Sequence, residues 1–350
     1  MSDDGAAIHD EDGTDRASSD LRRLINGYQA AQAIHVAAVL GVADHLSASP
    51  RSSDELAAAV GAHAPTLYRL MRALSALGVF REHDHRCFSL LPMGECLRTD
   101  ARRPLRPYAV FSGQDCQRQA WGLLLQSVKT GTNAFAAAHG MGSWAYRESH
   151  PEQGAIFGAA MTGNSQRTNA AILRAFPFER FQRIADIGGG QGSLLAAILT
   201  AHPHVHGVLF DMPAVVAAVV PELRDLAARC DIVGGDMFAA VPAACDAYVL
   251  KYILHDWPDS DGLRILENCR HAMSPAAVLL VIERFVGAPN EDATAKLADL
   301  GMLVGPGGKE RTREEFAELL RAGGFSLTEV VATGTPLNVI VADQVRGSGA

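Results

Sequence analysis

From residue 183 to the end, short apolar runs alternate with stretches of helical periodicity. The runs fall at 183–187, 205–210, 231–233, 247–251, 277–283, 326–331 and 337–342. Strand and helix in alternation build a mostly parallel sheet with helices on both faces. Only residues 332–336 separate the last two runs. That is too short for a crossover, so they pair as a hairpin and contribute one antiparallel strand. The fold expected here is therefore α/β and Rossmann-like. Ligands of such open sheets bind at the carboxyl ends of the strands.

The first of these runs leads directly into Asp186-Ile187-Gly188-Gly189-Gly190-Gln191-Gly192-Ser193. Glycines at a strand end let the backbone turn sharply and approach a ligand with no Cβ in the way. The helix that follows offers free N–H groups at its start. Asp211 closes the next apolar run, where a carboxylate can accept bonds from both hydroxyls of a ribose. Strand, glycine loop, helix, strand and acid make a nucleoside-binding unit. A GxGxxG dinucleotide fingerprint fails at its third glycine, which is Ser193 counted from Gly188. No Walker lysine follows either. A nucleoside without a pyrophosphate fits better, and S-adenosylmethionine is the common one. An NAD-dependent oxidoreductase remains the alternative use of such a loop.

The first half reads helical. Ser52 and Glu55 have capping-box spacing for a helix ending at Gly61, and a second helix runs over 65–77. Two strands, 79–82 and 86–90, follow with a polar turn between them. Helix, helix and hairpin is a winged-helix pattern, which raises the question of DNA binding. Residues 21–100 carry eight Lys and Arg against seven Asp and Glu. A DNA reader concentrates positive charge there, so dimerisation is the better reading and a ligand-sensing transcription factor the lesser one. The net charge of −8 points the same way. Residues 1–20, acidic and rich in Asp, Ser and Gly, are expected to be a disordered tail. The domains expected are thus that tail, a dimerisation domain over 21–105, a helical linker and substrate-lining region over 106–178, and a catalytic domain over 179–350. No secretory signal or membrane-length apolar run is present, which leads to the expectation of a cytoplasmic protein.

Further along, Val-Leu-Lys251-Tyr-Ile-Leu-His255-Asp256-Trp257-Pro, Phe210-Asp211-Met-Pro, Gly235-Asp236-Met237-Phe238 and Gly307-Gly308-Lys309-Glu310-Arg311-Thr312 accompany the glycine loop. As a set, over nearly the whole chain, they resemble the plant-type O-methyltransferases and their bacterial relatives in secondary metabolism. The resemblance implies a homodimer and an S-adenosylmethionine cofactor held by Gly188, Gly190, Asp211, Asp236, Met237 and Lys251. It implies His255 as general base, flanked by Glu283 and Glu310. Asp256 would help place substrate and cofactor. Phe157, Met161 and Asn164, which share one helix face at i, i+4 and i+7, would line the acceptor site.

These roles suit the chemistry. A neutral phenol is a poor nucleophile, with a pKa of about 10. A histidine within hydrogen-bond reach is the side chain best matched to take its proton. The acceptor implied is a small aromatic or polyketide-type metabolite. A relative that keeps the cofactor but carries out other chemistry, such as hydroxylation, is a further alternative. His202, His204 and His206 have the look of a metal cluster, but no Cys or acid nearby completes a set, so no metal is expected.

Overall fold

The computed structural model describes residues 7–345 of the 350-residue chain. The chain divides into two compact units, residues 1–114 and 115–350.

In the first unit, the expected disordered tail is corrected: the chain is helical over Ala7–Ile25. Residues 1–6 lie outside the described residues. Local propensity accounts for the helix, since the segment has Ala, Arg and Leu in its second half and no proline. Asp20 and Arg23 pair along it at i and i+3. Residues 13–25 are exposed throughout. A second helix, Gly27–Leu40, ends where Gly41 takes φ +68°, a left-handed cap. Strand β1 (Arg51–Ser52) leads into the helix Ser53–Val60 through a complete Ser52–Glu55 capping box. After the helix Ala64–Ala76 come β2 (Phe80–His83) and β3 (Cys87–Leu90). They form an antiparallel sheet of order β1-β3-β2. Leu56, Leu67, Met71, Leu74, Phe80 and Phe88 make the core of this winged-helix arrangement.

The second unit holds a seven-stranded sheet: β4 (Arg183–Ile187), β5 (His206–Asp211), β6 (Cys230–Gly234), β7 (Ala247–Lys251), β8 (Val278–Arg284), β9 (Phe325–Ala332) and β10 (Leu337–Gln344). Its order is β6-β5-β4-β7-β8-β10-β9. Strands β4 to β8 pair in parallel, and β10 alone runs antiparallel, between β8 and β9. Alternate residues feed opposite cores, as period-two geometry requires. Ile184, Leu209, Val249 and Leu280 pack on one face. Ala185, Val208, Leu250 and Val281 pack on the other.

The helices of 115–175 belong to this unit, so the chain divides near the boundary expected at 105/106 and not at the one expected at 178/179. The reason is packing. The long helix Pro151–Ala175 buries Ile172, and the adjoining Phe176 is buried with it, in the same core as Ile184 and Leu195 of the sheet and its first helix.

Candidate active site

The topology brings the carboxyl ends of five parallel strands to one edge. The glycine loop leaves β4, Asp211 ends β5, Asp236 follows β6, Lys251 ends β7 and Glu283 is the penultimate residue of β8.

The loop turns through Gly188, Gly190 and Gly192, whose φ angles are +67°, +61° and +81°. Such angles strain any residue with a Cβ. At Gly188 an added Cβ would also stand 2.3 Å from Ile253 Cδ1, whereas at Gly190 it would meet no atom within 4 Å. The backbone at Gly190 therefore borders open space. Its N–H donates to Asp211 Oδ2 at 2.8 Å, and Met212 N–H donates to Oδ1 at 2.7 Å. Burial pushes the Asp211 carboxyl above its usual range, against these two bonds. A pinned acid beside an open glycine backbone is what a ribose and its neighbouring groups need, and S-adenosylmethionine fits that cradle. Asp236 is exposed and accepts from Phe238 N–H, while Met237 is partly buried.

Lys251 is buried and reaches under the loop. Its ammonium donates to Ser165 Oγ and, at 3.1 Å, to Asn169 Oδ1. Asn169 in turn donates to the carbonyl of Ser193, at the start of the helix after the loop. Burial pulls Lys251 down to about 8, although Asp186 and Glu283 act to hold its charge. The lysine thus ties the long helix to the start of the helix after the glycine loop, through Asn169. Sequence reasoning missed Asp186, which is buried beneath the glycines and raised to about 7 by that burial. It also missed Ser165 and Asn169, whose shared partner Lys251 lies more than 80 residues away.

Past β7 the chain makes a sharp turn at Tyr252, with φ +57°, and a 3₁₀ turn over Leu254–Asp256. His255 sits in that turn, 8% exposed. Its Nδ1 lies 3.2 Å from Glu310 Oε1 and 3.7 Å from Glu283 Oε2. Its Nε2 lies 3.6 Å from Asp256 Oδ1. Glu283 also accepts from the backbone N–H groups of Ile253 and His255, so it fixes the turn as well as facing the ring. Burial disfavours a charged imidazole here, but the carboxylates of Glu283, Asp256 and Glu310 outweigh it and raise the ring to about 10. Glu283 is itself lifted to about 7, chiefly by burial. The ring is the proton holder of the cluster.

Arg311 holds the turn from behind and was not singled out from the sequence. Fully buried, it donates to the carbonyls of Leu254 and Trp257 at 2.6 and 3.0 Å and pairs with Asp259 at 2.7 Å. Gly308 lets this segment close in: a Cβ there would fall 2.1 Å from the carbonyl oxygen of His255.

Phe157, Met161 and Asn164 are partly buried on the long helix, as expected for one face. Phe157 meets Trp144 edge to face at 5.6 Å, and Trp144 stacks on Trp257 at 5.8 Å. The neighbouring positions Gly158 and Thr162 face Gln191 of the glycine loop. Two of the histidines at 202–206 engage Glu179: His204 donates to its carbonyl, and His202 lies 4.0 Å from its carboxylate.

Comparison with known proteins bears on this arrangement. Residues 121–326 match the model of an O-methyltransferase domain, and residues 22–100 that of an O-methyltransferase dimerisation domain. The chain is 39% identical to the phenazine O-methyltransferase of Lysobacter antibioticus, over 93% of this chain and 96% of that protein. It is 38% identical to the 8-amino-8-demethylriboflavin N,N-dimethyltransferase of Streptomyces davaonensis, over 88% and 90%. Among solved structures, LaPhzM matches with a TM-score of 0.91 at 39% identity, covering 94% of this chain and 99% of that one. An O-methyltransferase from neocarzinostatin biosynthesis, solved with S-adenosylmethionine and 2-hydroxy-5-methyl naphthoic acid, matches with a TM-score of 0.78 at 32% identity, covering 90% and 96%.

Proposed function

The chain belongs to the O-methyltransferase family and uses S-adenosylmethionine, and we propose that it methylates a hydroxyl oxygen of a small aromatic metabolite, with His255 as the general base. The cofactor supplies an electrophilic methyl group. The chain's own residues supply the rest. The glycine loop and Asp211 hold the nucleoside, Lys251 braces the loop, and His255 takes the hydroxyl proton.

The observation that carries this reading is the buried imidazole with two glutamates on its Nδ1 side. Both acids stabilise the imidazolium and hold the ring from its Nδ1 side, so that Nε2, which faces Asp256 at 3.6 Å, is the nitrogen turned to the acceptor. An amine acceptor would not need this device, since a neutral amine is nucleophilic enough to attack before it loses a proton. A hydroxyl does. The surrounding carboxylates raise the ring above a free imidazole, toward the pKa of a phenol at about 10, which makes it a stronger base for that proton. His255, Glu283 and Glu310 also bring ligand atoms within 4.8 Å of one another, a spacing that suits a cation. In the present reading they act as an acid–imidazole cluster.

The test is product analysis with methyl-labelled S-adenosylmethionine, offered matched phenols and anilines in the presence of a chelator. The label is expected on oxygen, as a methyl ether, with transfer undiminished by chelation. Label only on nitrogen, or transfer that needs an added metal, contradicts the reading.

A further inference from the structure

We propose that Arg147 and Trp144 form an oxyanion-binding end of the acceptor site, so that this chain takes an aromatic hydroxy acid, bound as its carboxylate, in preference to a neutral phenol. The inference rests on the methyl-transfer reading above and narrows its substrate class.

Both residues come from the helix Ser143–Ser149. The Arg147 guanidinium lies over the ring of Phe157, 3.7 Å from its centroid, and over Trp144 at 4.7 Å. Trp144 continues the aromatic wall to Trp257, the residue two beyond the base. Two donor atoms in this cage, Arg147 Nη1 and Trp144 Nε1, are buried with no hydrogen-bond partner. Arg147 makes no salt bridge with a carboxylate among the described residues. A buried donor without an acceptor costs about 1–3 kcal/mol, more when charged. Two orphaned donors on one short helix, with aromatic faces between them and the catalytic turn, are accounted for when a ligand brings the acceptor. An aromatic ring carrying a carboxylate supplies both what the wall stacks on and what the donors lack. A guanidinium and an indole N–H suit that planar anion better than a hydroxyl.

The charge persists at neutral pH. Burial pulls Arg147 down to about 10, and Asp256 acts to keep it protonated. The guanidinium lies over Trp144, which stacks on Trp257 at the end of the catalytic turn. The glycine loop lies along another strip of the long helix, through Gly158 and Thr162 on Gln191 and Ser165 and Asn169 on Lys251. The carboxylate of S-adenosylmethionine is the competing anion for these donors.

The experiment offers the wild-type chain hydroxybenzoates, hydroxynaphthoates and hydroxyphenazine carboxylates, each beside its decarboxylated counterpart, with S-adenosylmethionine. It repeats the panel for Arg147→Met, Arg147→Lys and Trp144→Phe. The acids are expected to be preferred in kcat/KM. In Arg147→Met that preference should fall by about 10–100-fold, mostly through KM, as the loss of a charged hydrogen bond implies. The lysine variant should recover part of it, and Trp144→Phe should lose about tenfold or less. The S-adenosylmethionine Kd, read by calorimetry, should stay within about twofold. Equal transfer to both members of each pair, or to the neutral members alone, overturns the anion site and leaves methyl transfer standing. An Arg147→Met protein that loses affinity for S-adenosylmethionine overturns it in favour of the cofactor's carboxylate. No transfer to any pair, with cofactor bound, overturns both readings.

Discussion

His255 shows how one residue's surroundings set its task. In water an imidazole is half-protonated at about pH 6.5. Here the acids around it raise it to about 10, so below that pH it mostly carries a proton and cannot act as a base. Turnover should therefore climb as pH rises through the neutral and alkaline range. Glu310→Gln removes one negative neighbour and so lowers the ring's pKa. The rising limb of kcat/KM should move to lower pH, by roughly 1–3 pH units, with a reduced plateau because the ring is less firmly oriented. A limb that stays in place, or moves upward, would refute the assigned electrostatics. His255, Glu283 and Glu310 were legible in the sequence because each sits beside a strand end or a distinctive motif. Arg311 was not. It stands beside Glu310 in the same quoted motif, but nothing local marks it as the fully buried clamp on Leu254, Trp257 and Asp259. Arg147 was hidden for the same reason, since the rings around it converge only through tertiary packing.

At the scale of elements, strands were readable wherever apolar runs were flanked by loop residues. β4 and β7 have the expected bounds, and the others differ by one or two residues at their ends. The anticipated capping box formed at Ser52–Glu55, and the structure has another at Thr312–Glu315. The misread element is the first helix, where acidic composition suggested disorder. Its end offers a clue to its use. Leu21, Leu24 and Ile25 follow i, i+3, i+4 spacing, and Tyr28 continues the strip past Asn26; their exposures are 59, 71, 63 and 69%. So much apolar surface on one strip is costly in water and marks a contact surface. The matched dimerisation domain begins within it, at residue 22. We infer that a second copy of the chain covers this strip. The double variant Leu24→Glu, Ile25→Glu should sediment as a monomer in ultracentrifugation where the parent sediments as a dimer, and an unchanged dimer would refute the assignment.

At the scale of the whole molecule, the account depends on convergence. Segments as far apart as the glycine loop after β4, the turn after β7, the end of β8 and the residues before the helix Arg313–Ala322 meet because parallel strands present the same ends to the same edge. The sequence carried that logic, since a strand-helix alternation dictates the sheet and the sheet dictates the edge. It did not reveal that the helices of 115–175 fold with the sheet, because their apolar positions could pack against any neighbour. The claim that most needs a direct test is that His255 removes the acceptor's proton during methyl transfer. Turnover of the parent and of His255→Ala should be compared on two phenols of similar shape, one with an ordinary pKa and one acidic enough to be ionised at the assay pH. The account predicts a loss of about 10²–10⁴ on the ordinary phenol and little loss on the ionised one, which needs no base. An equal loss on both, or none on the ordinary phenol, would contradict it.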